Sequence, residues 1–169
     1  MIDNDDSPAP ASQDIPFDSA RELCRLSVAM AAGARRQMDI VSRSLDPMIY
    51  DTEEFADAVK RLVLAKGSRV RILLLDPESL FARGGHRLVE LAMRVSSHME
   101  IRRVGAEQAG FNEAMLIADR VGVIHRKYSD RHEGTANFHA RLWAARLSES
   151  FELLWQNSES DPHFRRLML

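Results

Sequence analysis

Two short apolar runs on either side of Asp119-Arg120 constrain the fold more than any other stretch of the sequence. Residues 115–117 are Met-Leu-Ile and residues 121–124 are Val-Gly-Val-Ile, a composition typical of paired strands. A two-residue polar link between such runs indicates a tight turn. Residues 111–126 are therefore predicted to form a β-hairpin.

The chain before the hairpin alternates between helix and strand patterns. A capping box at Ser19–Glu22 predicts a first helix, and residues 38–42 are typical of a strand. A second helix begins at 51–54, carries a one-sided apolar stripe and ends at Lys66-Gly67. The strand at 70–75 is almost continuously apolar, which suits a position covered on both faces. This αβαβ order predicts parallel strands joined by helical crossovers.

The remaining segments complete an α/β domain. Residues 79–85 are predicted to be a loop, 88–95 a helix and 99–104 a strand. After the hairpin, a polar loop at 128–134 leads to a long helix predicted from Asn137 to about Gln156. We therefore predict a three-layer α/β/α fold with a mixed, mostly parallel sheet of about five strands.

The start of the chain differs in composition from the rest. The first 18 residues contain five aspartates and no lysine or arginine, so the remainder of this 169-residue chain carries a small positive charge. Residues 1–16 also hold three of the six prolines, and we predict a disordered acidic leader there. Residues 17–169 are predicted to form a single domain, since this length suits one hydrophobic core. The basic excess is too small to indicate a nucleic-acid-binding protein by itself.

The cysteine content and the hydropathy of the sequence limit the cellular environments that suit this protein. Cys24 is the only cysteine, which excludes an internal disulfide and favours a reduced, cytoplasmic protein. The sequence shows no cluster of cysteine and histidine with metal-ligand spacing. It also has no apolar run near the ~20 residues that a membrane helix needs. We therefore expect no metal, no cofactor and no membrane span.

The order of these segments resembles one repeat of the phospholipase D-like superfamily, over residues 17–158. The resemblance rests on the Val-Arg-Ile-Leu-Leu strand that begins at Val70, on the Lys-Gly-Ser turn before it and on the hairpin strand that ends in Asp119. Gly134–Asn137 is similar to the Gly-Ser-x-Asn element of active members, although it lies eight residues further from Asp119 than the usual spacing. The Phe-x-x-x-Trp helix and the Arg-Arg-Leu tail at 165–167 are similar to those of degenerate bacterial members.

The His-x-Lys-x4-Asp signature of the superfamily is lost. Counting back from Asp119, the His position holds Asn112 and the Lys position holds Ala114. The resemblance implies that in active members this His attacks phosphorus while paired lysines stabilise the developing charge. Asn112 is a poor nucleophile and Ala114 carries no cation. We therefore expect a vestigial motif, no catalytic residues and a pseudoenzyme.

Polar and basic side chains after the motif could still bind phosphate. The candidates are Arg126, Arg131, His132, Asn137 and Arg141. Arginine is favoured in such a role because its planar fork of donors matches phosphate oxygens. The alternative is a solvated loop whose charges serve solubility only.

Three functions remain open at this point. The first, which the sequence favours over the two alternatives, is a non-catalytic protein-interaction or regulatory module that binds an unidentified protein. The resemblance implies that this module forms a homodimer across the site, and exposed apolar groups around Phe111 and Trp143 would be consistent with that. The second is binding of phosphate, a nucleotide or nucleic acid at the vestigial site. The third is a phosphodiesterase or nuclease with a rearranged site.

Overall fold

The computed structural model of the protein describes residues 11–164. Its strands are β1 (Ile15–Phe17), β2 (Gln37–Ser42), β3 (Arg69–Leu74), β4 (Met99–Arg103), β5 (Ala114–Ala118), β6 (Gly122–Arg126), β7 (Gly134–Asn137) and β8 (Glu159–Ser160). Its α-helices are α1 (Ala20–Gly33), α2 (Pro47–Tyr50), α3 (Glu53–Leu64), α4 (Pro77–Arg83), α5 (Arg87–Arg94) and α6 (Arg141–Gln156). Among the described residues, no helix is both long enough and apolar enough to cross a bilayer.

The eight strands form one mixed sheet in the order β1-β7-β6-β5-β2-β3-β4-β8. Only β2–β3 and β3–β4 pair in parallel, and the other five neighbouring pairs are antiparallel. The predicted α/β class and mixed sheet are therefore confirmed, but the expectation of a mostly parallel sheet is wrong. The helical crossovers supply just two parallel pairs, whereas the hairpin and both edges of the sheet add antiparallel strands.

Helices cover both faces of the sheet and enclose two cores. Helices α1, α3 and α5 pack on one face over the larger core, which includes Leu23, Phe55 and Ile72. Helix α6 alone packs on the other face, where Phe151 and Leu154 meet strand residues of β2, β3, β5 and β6. The predicted three layers are therefore present.

The predicted hairpin forms from β5 and β6, with Asp119 and Arg120 as its two turn residues. Both have a φ of 54°, and left-handed geometry at both central residues is typical of a type I′ turn. The Asp119 carboxylate accepts three backbone N–H groups at the start of β2, from Arg35, Arg36 and Gln37, at 2.8, 2.8 and 3.0 Å. The turn is thereby tied to the strand next to the hairpin.

Three predicted loop or leader segments are ordered differently. Residues 79–85 were expected to be a loop, but most of them belong to α4, whose first turn is capped by the carboxylate of Asp76. Gly134–Asn137 is strand β7 rather than a loop and helix start, so α6 begins four residues later than predicted, at Arg141. Ile15 and Pro16 of the predicted leader lie in β1, so the ordered domain begins before residue 17. Residues 1–10 and the tail at 165–167 lie outside the described residues.

A buried ion cluster fixes α6 to the sheet. The Arg71 guanidinium on β3 donates to both carboxylate oxygens of Asp39 on β2, at 2.9 and 3.1 Å. It also donates to Glu152 on α6 at 2.5 and 3.2 Å. The Arg71 and Asp39 side chains are only 6% and 3% exposed, and the guanidinium lies over the rings of Phe151 and Trp155. The position and the angle of α6 on the sheet therefore depend on these charges as well as on apolar contacts.

Candidate anion-binding cleft

A small polar cleft of about 280 Å³ opens beyond the carboxyl end of β2. The segment after β2, the end of α4 and the loop after β6 contribute its walls. Its charged lining comprises Arg43, Arg83, Arg126, Asp46, Asp130 and His132, and serines including Ser129 complete it. The parallel strands β2 and β3 end at this edge of the sheet, where open α/β folds generally place their ligands.

The vestigial motif residue Asn112 lies beside this cleft. Its side-chain oxygen accepts a hydrogen bond from Arg43 Nη2 at 2.8 Å and one from Ser129 Oγ at 2.6 Å. Arg43 Nε in turn donates to Ser129 Oγ at 3.1 Å. Asn112 is therefore held in a polar network and presents no nucleophilic atom to the cleft.

A buried arginine on the neighbouring strand lies next to Ala114. Ala114 is buried and pairs directly with Arg126 of β6, so the two side chains project from the same face. Arg126 is only 3% exposed, and its Nη1 donates to the Arg131 carbonyl at 2.9 Å and to the Ser129 carbonyl at 3.5 Å. The sheet thus carries a positive charge beside this position.

The segment that resembles Gly-Ser-x-Asn does not bring Asn137 into the polar network of Asn112. Asn137 donates to Ser12 Oγ and Asp14 Oδ1, both at 2.9 Å. Ser129, eight residues closer to Asp119, is the residue whose hydroxyl donates to Asn112.

The predicted phosphate-binding set is divided among three places. Arg126 and His132 line the cleft. Arg131 is exposed, lies 5.0 Å from the Tyr128 ring centroid and pairs with Glu133 at 3.5 Å. Asn137 and Arg141 instead line a separate groove of about 660 Å³ beside Trp143. The residues expected to act together therefore do not form one site.

Sequence analysis missed Arg43, Arg83 and Asp46 as members of the cleft. Arg43 and Asp46 follow directly after β2, and that position was an available signal, because the carboxyl ends of parallel strands are a common place for ligands. Arg83 lies in the segment that was predicted to be a loop. Its guanidinium bonds the hydroxyl and carbonyl oxygens of Ser44 and so holds the segment after β2.

His132 and Asp46 form the one acid–base pair in the cleft among the described residues. His132 Nε2 lies 2.9 Å from Asp46 Oδ2, and the other oxygen of Asp46 accepts the Met48 N–H at the start of α2. Both side chains are about one-third exposed, at 36% and 33%. A carboxylate that orients one imidazole nitrogen leaves the other nitrogen available to a ligand.

The three cleft arginines lack acidic partners. No carboxylate oxygen of residues 11–164 lies within 4.0 Å of the Arg43, Arg83 or Arg126 guanidinium. Asp76 is somewhat further away: its pKa is lowered chiefly by a hydrogen bond from the Ser79 hydroxyl, and the charges of Arg43 and Arg83 add to that effect. The same residues contain no group of three acidic, histidine or cysteine side chains that could hold a metal ion. The lining of the cleft thus combines three guanidinium groups with two carboxylates, those of Asp46 and Asp130, that do not contact them.

A strained residue, Leu45, lies between Ser44 and Asp46 in the cleft wall. It is fully buried with a φ of 53°, a conformation that costs a leucine free energy and persists only when its surroundings impose it. The Leu45 carbonyl accepts from His86 Nε2 at 3.0 Å, and His86 Nδ1 accepts the Leu88 N–H at 3.1 Å as the cap of α5. His86 therefore holds the cleft segment, and it does so as a neutral ring.

Acidification is expected to weaken the fold through His86. Burial lowers the pKa of His86, so the unfolded chain takes up a proton on this ring at a higher pH than the folded chain does. Stability is therefore retained above the ordinary histidine pKa of about 6.5 and lost as the pH falls below it. The urea midpoint at pH 5.5 should be lower than at pH 7.5, and His86→Asn, which can still cap the helix, should reduce that difference. An identical pH dependence in wild type and His86→Asn would contradict this assignment.

The fold is shared with proteins of the phospholipase D family. NucT from Helicobacter pylori matches with a TM-score of 0.67 at 14% identity, over 89% of this chain and 100% of NucT. Nuc from Salmonella typhimurium, a phospholipase D family member, matches with a TM-score of 0.59 at 17% identity, over 90% of this chain and 99% of Nuc. The phospholipase D-like resemblance is therefore confirmed at the level of the fold.

A third structural match is the archaeal chromatin protein TrmBL2, whose structure shows a novel mode of DNA binding. The TM-score is 0.66 at 16% identity, over 93% of this chain, and this chain spans 57% of TrmBL2. At identities this low, the three structures share a fold with this chain and nothing finer follows from them. No curated protein matches the sequence.

Almost the whole domain matches one sequence family. The family model described as "Domain of unknown function (DUF7931)" matches residues 19–167, which begin at the cap of α1 and include every residue of the cleft. The chain belongs to this DUF7931 family, and its fold is that of the phospholipase D-like proteins.

Proposed function

We propose that this domain is a non-catalytic module that binds a phosphate-bearing ligand in the cleft after β2. One observation carries the proposal: three guanidinium groups, from Arg43, Arg83 and Arg126, meet at one small cleft with no carboxylate of the described residues in contact with them. The sequence by itself favours a protein-interaction module. The three arginines of the cleft favour the alternative, which is phosphate binding.

The energetics of the guanidinium groups support an anionic ligand. A buried charge is costly unless an opposite charge or hydrogen bonds compensate it. Arg126 is almost fully buried, and two carbonyl oxygens satisfy only one of its terminal nitrogens. A phosphate oxygen can accept from several guanidinium N–H groups at once and supplies the missing charge.

The size of the cleft sets a limit on the ligand. At about 280 Å³ it lies just below the ~300–1,000 Å³ range that is usual for small-molecule sites. It can therefore enclose a phosphate group and little more, while the rest of the ligand extends into solvent. The DNA binding reported for TrmBL2 makes a polynucleotide one form of such a ligand.

The neighbourhood of Asn112 supports a role without catalysis. In-line attack on phosphorus needs a nucleophile with a free lone pair, and the Asn112 amide provides none. Its oxygen is already bonded to Arg43 and Ser129. Ala114 is buried in the strand, so the second element of the signature is absent as well.

Arg43→Met is the variant that tests this proposal. We expect it to weaken binding of inorganic phosphate, a nucleoside monophosphate and a fluorescent single-stranded oligonucleotide by at least about tenfold, because one charge-assisted contact is worth ~1.5–3 kcal/mol. Binding is followed by calorimetry for the small ligands and by anisotropy for the oligonucleotide. Arg61→Met removes an exposed arginine of α3 far from the cleft and is the matched control.

Comparing the three test ligands shows which kind of molecule carries the bound phosphate group. Binding of the oligonucleotide alone, with a steep salt dependence, would indicate a polynucleotide. Binding of the monophosphate alone would indicate a small ligand. Equal affinities for wild type and Arg43→Met, or no binding of any of the three at millimolar concentrations, would refute the cleft as a phosphate site.

The His132–Asp46 pair favours a second candidate, a phosphodiesterase with a rearranged site. An imidazole oriented by a carboxylate can act as a nucleophile or general acid–base group next to bound phosphate. The test is hydrolysis of bis(p-nitrophenyl) phosphate. Wild type and the variant of an exposed histidine, His139→Gln, should both hydrolyse it if this candidate holds, and His132→Gln should not. Turnover at background level in all three proteins is the result expected of a non-catalytic domain.

A further inference from the structure

Helix α6 presents an unusual outer face. Residues 142, 145, 146, 149, 150 and 153 recur at helical spacing and are all exposed, opposite the buried Ala144, Phe151 and Leu154. Leu142 is 80% exposed and Leu153 is 64% exposed. Scattered exposed apolar residues need no explanation, so these two leucines are informative only together with the charged residues between them on the same helix face.

This face is complementary to itself under two-fold rotation. The midpoint between Leu142 and Leu153 falls between residues 147 and 148, and the midpoint between Arg146 and Glu149 falls at the same place. Two antiparallel copies of α6 with their axis at that point would bring Leu142 of each copy to Leu153 of the other. They would also bring each Arg146 to Glu149 of the other copy. A surface that pairs both its apolar and its charged groups with itself is what a two-fold dimer requires.

The surface next to the helix can receive these leucines. A mainly apolar groove of about 520 Å³ runs beside Leu153, lined by Ala145, Ser148 and Glu149 among others. The small side chains of Ala145 and Ser148 allow a second helix to approach closely. The groove therefore offers space to a second copy.

We infer that α6 is a homodimer interface in which two copies of this chain pair antiparallel, related by a two-fold axis near residues 147 and 148. The helix is ~24 Å long, so the contact is smaller than a standard stable interface of ~800 Å² per partner. We therefore expect reversible association with a dissociation constant of ~10–100 µM. This interface lies on α6, away from the cleft, and the inference does not rest on the proposed phosphate binding.

The inferred interface differs from a dimer across the vestigial site. Phe111 and Trp143, which sequence analysis considered as exposed apolar groups, are half-buried and pack against the smaller core. They are therefore occupied within one copy of the chain. Leu142 and Leu153 are the apolar side chains of α6 that remain free for a partner.

Sedimentation velocity from about 1 to 300 µM tests the apolar part of the interface. Wild type should shift from monomer to dimer, and Leu142→Glu combined with Leu153→Glu should weaken association at least tenfold. Leu64→Glu is the matched control, since Leu64 is 66% exposed but lies on α3. A monomer throughout, or a dimer that the double variant leaves unchanged, would overturn the inference.

A charge exchange tests the geometry. Arg146→Glu alone and Glu149→Arg alone should each place like charges opposite each other and weaken self-association. Mixing the two single variants should restore dimers, because every contact between Arg146 and Glu149 positions would then join opposite charges. Heterodimers no stronger than the single-variant homodimers would overturn the antiparallel register. Loss of dimers in these variants with phosphate affinity intact would separate this interface from the cleft.

Discussion

Arg71→Met is expected to destabilise the protein by about 3–5 kcal/mol, the usual cost of removing one partner from a buried ion pair. The substitution keeps most of the apolar stem but removes the guanidinium that bonds Asp39 and Glu152. Asp39 would then be a carboxylate 2% exposed in the middle of the sheet with no cation in contact. Denaturant-induced unfolding gives the loss directly, as a lower midpoint at unchanged slope.

The loss should depend on pH in a definite direction. Burial already raises the pKa of Asp39 above its ordinary value, and the hydrogen bonds and charge of Arg71 offset part of that effect. Without Arg71 the folded-state pKa rises further, so the folded variant binds a proton that the unfolded chain releases. The destabilisation of Arg71→Met relative to wild type should therefore be smaller near pH 5 and grow as the pH rises toward 8. A destabilisation that is the same at both values would show that Asp39 is not the cause.

Two further variants separate charge from packing. Asp39→Leu combined with Arg71→Met removes both charges and should recover most of the lost stability, because an apolar pair of similar volume often replaces a buried ion pair at little cost. Arg69→Met changes an exposed arginine on the same strand and should alter stability by less than about 0.5 kcal/mol. A double variant as unstable as Arg71→Met would mean that α6 needs the ion cluster for its position.

The central elements could be predicted from the sequence because their signals are local. Each signal comes from a few neighbouring residues. These signals are the apolar stripe of α3, the apolar run of β3 and the short polar turn after β5. Strand β7 could not be predicted that way, because Gly-Thr-Ala-Asn has no strand composition. Its partners β1 and β6 hold it in place, and Gly134 is required there since a Cβ would lie 2.2 Å from the His125 carbonyl oxygen. Missing the edge strands led directly to the wrong expectation of a mostly parallel sheet.

The cleft was harder to predict than the fold, because its residues are far apart in the chain. Arg43 bonds Asn112, which lies 69 residues later, and Asp46 pairs with His132, which lies 86 residues later. Arg126 and Arg131 were predicted to act together because they are close in the sequence. In the structure Arg126 lines the cleft, whereas Arg131 is exposed and pairs with Glu133. Asn112 could be picked out from the sequence, but the arginines around the cleft come together only once the chain is folded.

Asp119→Ala is expected to cost about 2–4 kcal/mol, although Asp119 lies ~20 Å along the strand from the cleft. Its carboxylate satisfies three consecutive backbone N–H groups, those of Arg35, Arg36 and Gln37. A hydrogen bond to a charged group contributes ~1.5–3 kcal/mol net, and the sum is reduced here because two of the three bonds are exposed to solvent. The alanine would also have to adopt a φ of 54°, which aspartate and asparagine tolerate better. Urea unfolding measures the effect.

Asp119→Asn and Arg120→Ala separate the two causes. Asparagine keeps one acceptor oxygen and the turn preference, so it should lose about half as much stability as alanine. Arg120 has the same φ in the same turn but accepts no such hydrogen bonds, so Arg120→Ala should change stability by less than ~1 kcal/mol. Equal losses in Asp119→Ala and Arg120→Ala would assign the effect to the turn. The expected order, with Asp119→Ala far the worst, would show that Asp119 stabilises the fold through its hydrogen bonds to the start of β2.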